Sequence, residues 1–153
     1  MDMNNRSNQL LNFLKTHFGD MINFSSDDYL HAFGRESDAL LYWTLFFPEL
    51  VEIENRVFLR RMVTDEEGLS EAIANSHKPI SEIETSYNFV EVGYLFDCSG
   101  RNISDKEELL LAEKIKVAWN AWLKTKYPNR VFRVEILTPE ETGSTVGVQF
   151  YET

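Results

Sequence analysis

The chain has little of several features that mark specialised classes of protein. Its one cysteine among 153 residues, Cys98, cannot form an internal disulfide. The longest apolar run, Ala39 to Phe47, contains nine residues and stops at Pro48, whereas a membrane-spanning helix needs about 20. The first nine residues, MDMNNRSNQ, include neither the basic stretch nor the apolar stretch of a secretory leader. These absences predict a cytoplasmic protein that does not cross a membrane.

Basic residues are also scarce. The chain has 15 Lys and Arg against 25 Asp and Glu, for a net charge of −10. Most of the excess lies in residues 64–108, which carry eleven acids and three bases. Phosphate backbones and anionic lipids repel such a chain, so we expect neither nucleic acid nor a membrane surface as a partner.

Aromatic and aliphatic side chains are plentiful. The chain contains 11 Phe, 6 Tyr and 3 Trp, and hydrophobic residues make up 43% of it. These values are typical of a soluble protein with a well-filled core. A length of 153 residues is common for one domain, so we expect a single globular domain over residues 1–153.

The first half of the chain begins with helical patterns and then changes to strand patterns. Apolar residues at helical spacing predict a short helix over Ser7–Phe18 and a second helical region over Asp28–Phe47, divided near Gly34. Residues 51–63 alternate between apolar and polar, which predicts two strands joined near Glu54 and Asn55. A capping box formed by Thr64 and Glu67 then predicts a helix over residues 65–76.

The second half combines strands with the longest helix. Residues Tyr87–Phe96 are apolar on both sides of an extended segment, which predicts a central strand. Ser104 and Glu107 match a capping box that opens the long helix. The apolar stripe of this helix is predicted to be Leu111, Ile115, Ala118 and Trp122. Alternating residues in 130–137 and 145–151 predict a closing antiparallel hairpin.

The predicted order of elements is α-α-β-β-α-β-α-β-β. Strands in antiparallel pairs with helices grouped beside them are typical of the α+β class. We therefore expect a mostly antiparallel sheet of about five strands, packed against the long helix of the C-terminal half and the N-terminal helices.

The residues that could perform catalysis or bind a metal do not form a recognisable motif. Cys98 has Asp97 and Arg101 as charged neighbours, which act on the thiol pKa in opposite directions, so a small residue at a strand end is the favoured interpretation. His17, His31 and His77 have no His or Cys at ligand spacing. We predict no catalytic residue, no metal site and no cofactor, and hence a protein that is not an enzyme, with an enzyme lacking a known motif as one alternative.

The two tryptophans of the long helix leave a second alternative open. Trp119 and Trp122 are expected in the core, as buried aromatics usually are. They could also line an aromatic pocket for a small molecule beneath the helix, because spacing alone does not separate the two cases.

The acidic middle of the chain is the candidate binding site. The predicted binding residues are Asp65, Glu66, Glu67, Glu71, Glu82, Glu84 and Tyr87. Such a face would orient and speed association with a basic surface, although a solvated face that serves only solubility is the alternative. Bacterial immunity proteins that block basic nuclease toxins are similar in size and acidity, an analogy of composition without a shared motif. We therefore predict a non-catalytic protein-interaction protein with a basic protein partner, for example an immunity-like inhibitor.

Overall fold

The computed structural model describes residues 25–96 and 104–153. The helix predicted over Ser7–Phe18 and the turn that contains Cys98 lie outside these residues. Contacts divide the chain into two compact units, Met1–Tyr42 and Trp43–Thr153. The predicted α+β class is confirmed, whereas the single domain over residues 1–153 stays a prediction.

Helices provide most of the described structure. Their bounds are Ser26–Phe33 (α1), Glu36–Phe46 (α2), Glu66–Asn75 (α3), Ile80–Tyr87 (α4), Asp105–Lys126 (α5) and Pro139–Thr142 (α6). Two short 3₁₀ turns span Arg60–Met62 and Val92–Tyr94. Among the residues described, no helix combines the length and the apolar character needed to span a membrane.

The five predicted strands are present, and they form two small antiparallel sheets instead of one. The strands are Leu50–Ile53 (β1), Arg56–Leu59 (β2), Phe89–Glu91 (β3), Phe132–Leu137 (β4) and Gly147–Glu152 (β5). The first sheet is the β1-β2 hairpin, and the second has the order β3-β5-β4. Strand β5 is therefore the middle strand, and β3 and β4 form the two edges.

The hairpin turn and the helix break follow the local sequence signals. Glu54 and Asn55 connect β1 to β2 with φ angles of 49° and 58°, the left-handed pair that a two-residue hairpin turn requires. Gly34 separates α1 from α2, as predicted. Strand β2 ends at Leu59, earlier than the alternation suggested, because Arg60–Met62 form a 3₁₀ turn.

Three details between residues 64 and 96 differ from the prediction. Helix α3 is capped by Asp65, whose Oδ1 accepts a hydrogen bond from the Gly68 amide at 2.9 Å, and not by Thr64. Helix α4 was not predicted, although Ile80, Ile83 and Tyr87 have helical spacing. The strand predicted over residues 87–96 shortens to β3 and lies at a sheet edge, so its predicted central position is wrong.

The long helix α5 opens as predicted but turns a neighbouring face to the core. The capping box of Ser104 and Glu107 is present. Its buried apolar residues are Ala112, Ile115, Trp119 and Leu123, so three of the four predicted stripe positions are shifted by one residue. The sequence did not predict this shift because apolar residues occur on both candidate faces of the helix.

The described residues of the unit Trp43–Thr153 contain two clusters of buried hydrophobic side chains. The larger one packs α5 against the β3-β5-β4 sheet, with Val134, Val148 and Phe150 among its buried residues. The smaller one packs the hairpin against α3 and α4, with Phe58 and Leu69 among its buried residues.

Asn88 connects the two sheets. Its side-chain Oδ1 accepts from the Leu59 amide at 2.8 Å, and its Nδ2 donates to the Val57 carbonyl at 2.9 Å. Its own carbonyl accepts from the Phe150 amide at 3.1 Å. This fully buried residue therefore satisfies backbone groups of β2 and β5 that would otherwise be buried without partners.

Candidate functional site

Helices α3 and α4 present most of the predicted acidic residues to solvent. Of the predicted set, Asp65, Glu66, Glu67, Glu71 and Glu82 are exposed, and we call these five residues the acidic face. Leu69, which is 1% exposed, anchors α3 on the smaller core cluster. The cap at Asp65 and this anchor fix the helix that carries most of the face.

Basic side chains neutralise part of the acidic face. Arg60 pairs with Glu66, and Lys78 pairs with Glu82 at 3.5 Å. Within the described part of the chain, Asp65, Glu67 and Glu71 have no Lys, Arg or His nitrogen within 4.0 Å. Because no basic group lies against these three carboxylates, they contribute most to the negative potential of the face.

Two of the predicted binding residues are not freely accessible. Tyr87 is half-buried, and its ring packs edge-on against Phe58 with 5.9 Å between centroids. Glu84 is 0% exposed. The structure therefore removes Glu84 from the exposed face, because α4 turns this side chain inward beside its apolar residues.

Glu84 lies in an unusual environment for a carboxylate. Among the described residues, neither of its side-chain oxygens has a partner at hydrogen-bonding distance and angle. The nearest cationic group is Arg56, whose Nη1 lies 3.9 Å from Oε1. Burial raises the pKa of Glu84, and the positive charge of Arg56 opposes this effect. The group is therefore an acid held away from water beside a half-buried guanidinium.

An ion-pair network extends from Glu84 across the unit. Arg56 lies 3.6 Å from Glu152, and Arg130 donates from Nε to Glu152 at 2.8 Å. Arg130 also lies 3.3 Å from Glu52. The hydrogen bonds from Arg130 lower the pKa of Glu152. The network joins the β1-β2 hairpin, α4 and β5, so its main role is to hold these elements together.

Sequence reasoning missed this network. Its members are Glu52, Arg56, Glu84, Arg130 and Glu152, residues separated by up to 100 positions along the chain. One signal was available, because Glu84 follows Ile83 and shares helical spacing with Ile80 and Tyr87. That spacing would have turned Glu84 toward the protein interior.

The remaining candidate residues do not assemble into a chemical site. His31 and His77 are both exposed, on α1 and between α3 and α4. The described residues contain no group of three or more His, Cys, Asp or Glu arranged to hold a metal ion. The other two candidates considered from the sequence, His17 and Cys98, lie outside the described ranges.

The two tryptophans take part in packing. Trp119 is 2% exposed, packs edge-on against Phe150 and donates its Nε1 hydrogen to the Leu45 carbonyl at 2.9 Å. Trp122 is half-buried and donates to the Pro48 carbonyl at 2.9 Å. The Trp119 ring therefore occupies the core, as the first of the two interpretations expected.

The acidic face is thus the exposed part of the predicted site, and the buried network is a feature that only the structure assembles. No protein-family model, curated protein or solved structure matches the chain.

Proposed function

We propose that the chain is a non-catalytic protein-interaction protein whose acidic face binds a basic surface on another protein. One observation carries the proposal: between residues 64 and 87, five exposed carboxylates accompany a single lysine, Lys78. Glu84 no longer belongs to the proposed face because it is buried. Tyr87 stays in the proposal as an aromatic contact because the residue is only half-buried.

Electrostatics supports this function in two ways. A face with a net negative charge raises the rate of encounter with a basic surface by about 10-fold to 10³-fold. A helix held by its cap and by Leu69 presents these charges in a fixed arrangement, so little side-chain ordering beyond the carboxylates themselves is required on binding. An inhibitor of a basic enzyme, of the immunity-protein kind, is one function that such a face serves, and a cytoplasmic location suits a chain with one cysteine.

Charge reversal on α3 tests the proposal. The double variant Glu67→Lys/Glu71→Lys reverses two carboxylates that have no basic partner, and Glu36→Lys/Glu49→Lys is the matched control with the same change in net charge at exposed positions outside the face. Affinity capture from the source cytoplasm, followed by mass spectrometry, identifies the proteins that wild type retains. We expect basic proteins that the control retains and the α3 variant loses.

Binding of the captured protein is then measured against salt. Between about 0.1 M and about 1 M salt the Debye length falls from about 10 Å to about 3 Å, so the affinity should fall steeply. Equal capture by wild type and the α3 variant, or an affinity that salt does not change, would contradict the proposed acidic interface.

A further inference from the structure

Strand β4 has a free hydrogen-bonding edge. The Val131 carbonyl accepts from the Thr153 amide at 2.9 Å, and bonded and non-bonded pairs alternate along an antiparallel ladder. Odd-numbered residues of β4 therefore bond to β5. The even-numbered residues Phe132, Val134 and Ile136 direct their amides and carbonyls away from β5, and these groups have no hydrogen-bond partner within the described chain.

A groove runs beside this edge. Its volume is about 300 Å³, and it is lined by residues 133–137 of β4 together with Lys116 of α5 and Glu141 of α6. The groove is consequently bordered by the strand edge itself, by Lys116 and by Glu141, whose Oε2 accepts a hydrogen bond from the Thr138 amide at 2.7 Å. An additional strand laid along β4 would satisfy the outward-facing backbone groups.

We propose that β4 pairs with β4 of a second copy of this chain, antiparallel about a twofold axis at Val134. The pairing extends the three-stranded sheet into a continuous six-stranded sheet across two protomers. Only residues whose backbone groups face outward can bond across the new ladder. Phe132, Val134 and Ile136 of one copy must therefore pair with these same three residues of the other copy. Three such pairs supply about six backbone hydrogen bonds.

Side-chain complementarity selects this register. With Val134 opposite Val134 of the second copy, Arg133 lies opposite Glu135 of the second copy, and the same pair forms again by symmetry. Phe132 lies opposite Ile136, an aromatic and β-branched pair of the kind that stabilises sheets. Arg133 and Glu135 also pair with each other within one strand at 2.8 Å, so the dimer would bring two such pairs together with opposite charges facing each other. Strand β4 is therefore complementary to itself in charge.

Shifting the register by one step in either direction removes the complementarity. One shift sets Arg133 opposite Arg133 of the second copy, and the other sets Glu135 opposite Glu135 of the second copy. Like charges directly opposite one another are destabilising. The sequence of β4 thus favours the Val134-centred pairing over its neighbours, independently of the acidic face.

Charge swaps within β4 test the dimer by sedimentation velocity over about 10 to about 200 µM protein. Wild type should sediment with twice the 17.8 kDa chain mass. Glu135→Arg alone and Arg133→Glu alone should each raise the dimer dissociation constant about 10-fold or more, because each sets like charges opposite one another. Glu49→Arg is the control for the change in net charge.

Two restorations distinguish this register from a general loss of folding. The double variant Arg133→Glu/Glu135→Arg should dimerise as wild type does. An equimolar mixture of the two single variants should form a heterodimer, since each strand then meets one of opposite charge. Circular dichroism of each variant checks that the monomers are folded. A monomeric wild type, single variants that still dimerise, or a mixture that stays monomeric would each overturn the proposal. Wild type would also remain monomeric if a strand of another protein were the natural occupant of the edge, and that result overturns the proposal as well.

Discussion

Replacing Glu84 with glutamine should stabilise the protein at neutral pH. Glu84 is fully buried, and no described residue forms a hydrogen bond with either of its carboxyl oxygens. The substitution keeps the size and shape of the side chain and removes the charge that burial penalises. The expected gain in the free energy of unfolding comes from this lost desolvation cost.

The size of the gain follows from two opposing contributions. Burial raises the pKa of Glu84 by disfavouring the ionised form, and each tenfold change in that protonation equilibrium corresponds to about 1.4 kcal/mol. The ion pair with Arg56, at 3.9 Å and with the arginine 32% exposed, returns at most about 1 kcal/mol. Because the net shift is upward, we expect Glu84→Gln to stabilise the protein by about 1 kcal/mol at about pH 7.5, or about 2–4 °C in Tm.

The effect should depend on pH in a defined direction. Below the unfolded-state pKa of about 4.3, Glu84 is protonated in both states, so the folded state does not bear the cost of burying a charged carboxylate. As the pH rises above this value, the unfolded chain releases the proton first, and the free energy of unfolding of wild type falls until the pH passes the raised folded-state pKa. The advantage of the glutamine variant should therefore appear above about pH 4.3 and vanish below it.

Urea denaturation at about pH 7.5 and about pH 4 measures this difference. The matched control is Glu82→Gln, two residues away on the same helix, exposed and paired with Lys78, where we expect a change below about 0.5 kcal/mol. A glutamine variant that is less stable than wild type at neutral pH would refute the reasoning, because it would mean that the contact with Arg56 outweighs the cost of burial.

Two further substitutions test the contacts that join the sheets. Asn88→Ala removes two buried hydrogen bonds and leaves a backbone amide and a carbonyl of β2 unpaired, so urea denaturation should show a loss of about 2–4 kcal/mol in the free energy of unfolding. The control is Asn120→Ala at an exposed position. A loss at Asn88 as small as the loss at Asn120 would contradict the role assigned to Asn88. Glu152→Gln should destabilise by about 1–3 kcal/mol at about pH 7, because Arg130 holds the pKa of Glu152 low. That difference should shrink as the pH falls below about 4.3 and through the lowered folded-state pKa, and a difference constant with pH would count against the pairing.

Signals confined to a few neighbouring residues predicted much of the fold. The positive-φ turn at Glu54 and Asn55, the break at Gly34 and the capping box of Ser104 and Glu107 all appear where the sequence indicated them. Each depends on backbone sterics or on hydrogen bonds between residues three or four positions apart. Such interactions are nearly independent of the rest of the chain, so the sequence specifies them directly.

Features that depend on packing partners were predicted less well. The burial of one face of α5 rather than the adjacent face was settled by contact with the β3-β5-β4 sheet. Strand β3 lies at an edge because β5 pairs with both β3 and β4. Neither choice is encoded in local periodicity, since apolar residues occur on both candidate faces of α5 and on both sides of residues 87–96.

The acidic character, the α+β class and the alternation of β4 were determined by the sequence by itself, because charge and periodicity are properties of the chain. Only the tertiary structure decided that Glu84 is buried while Glu67 and Glu71 remain exposed, and that residues 52, 56, 84, 130 and 152 meet in one network. The physical reason is that burial and ion pairing depend on distance in space, and folding brings these residues within 4 Å of their partners from distant positions in the chain.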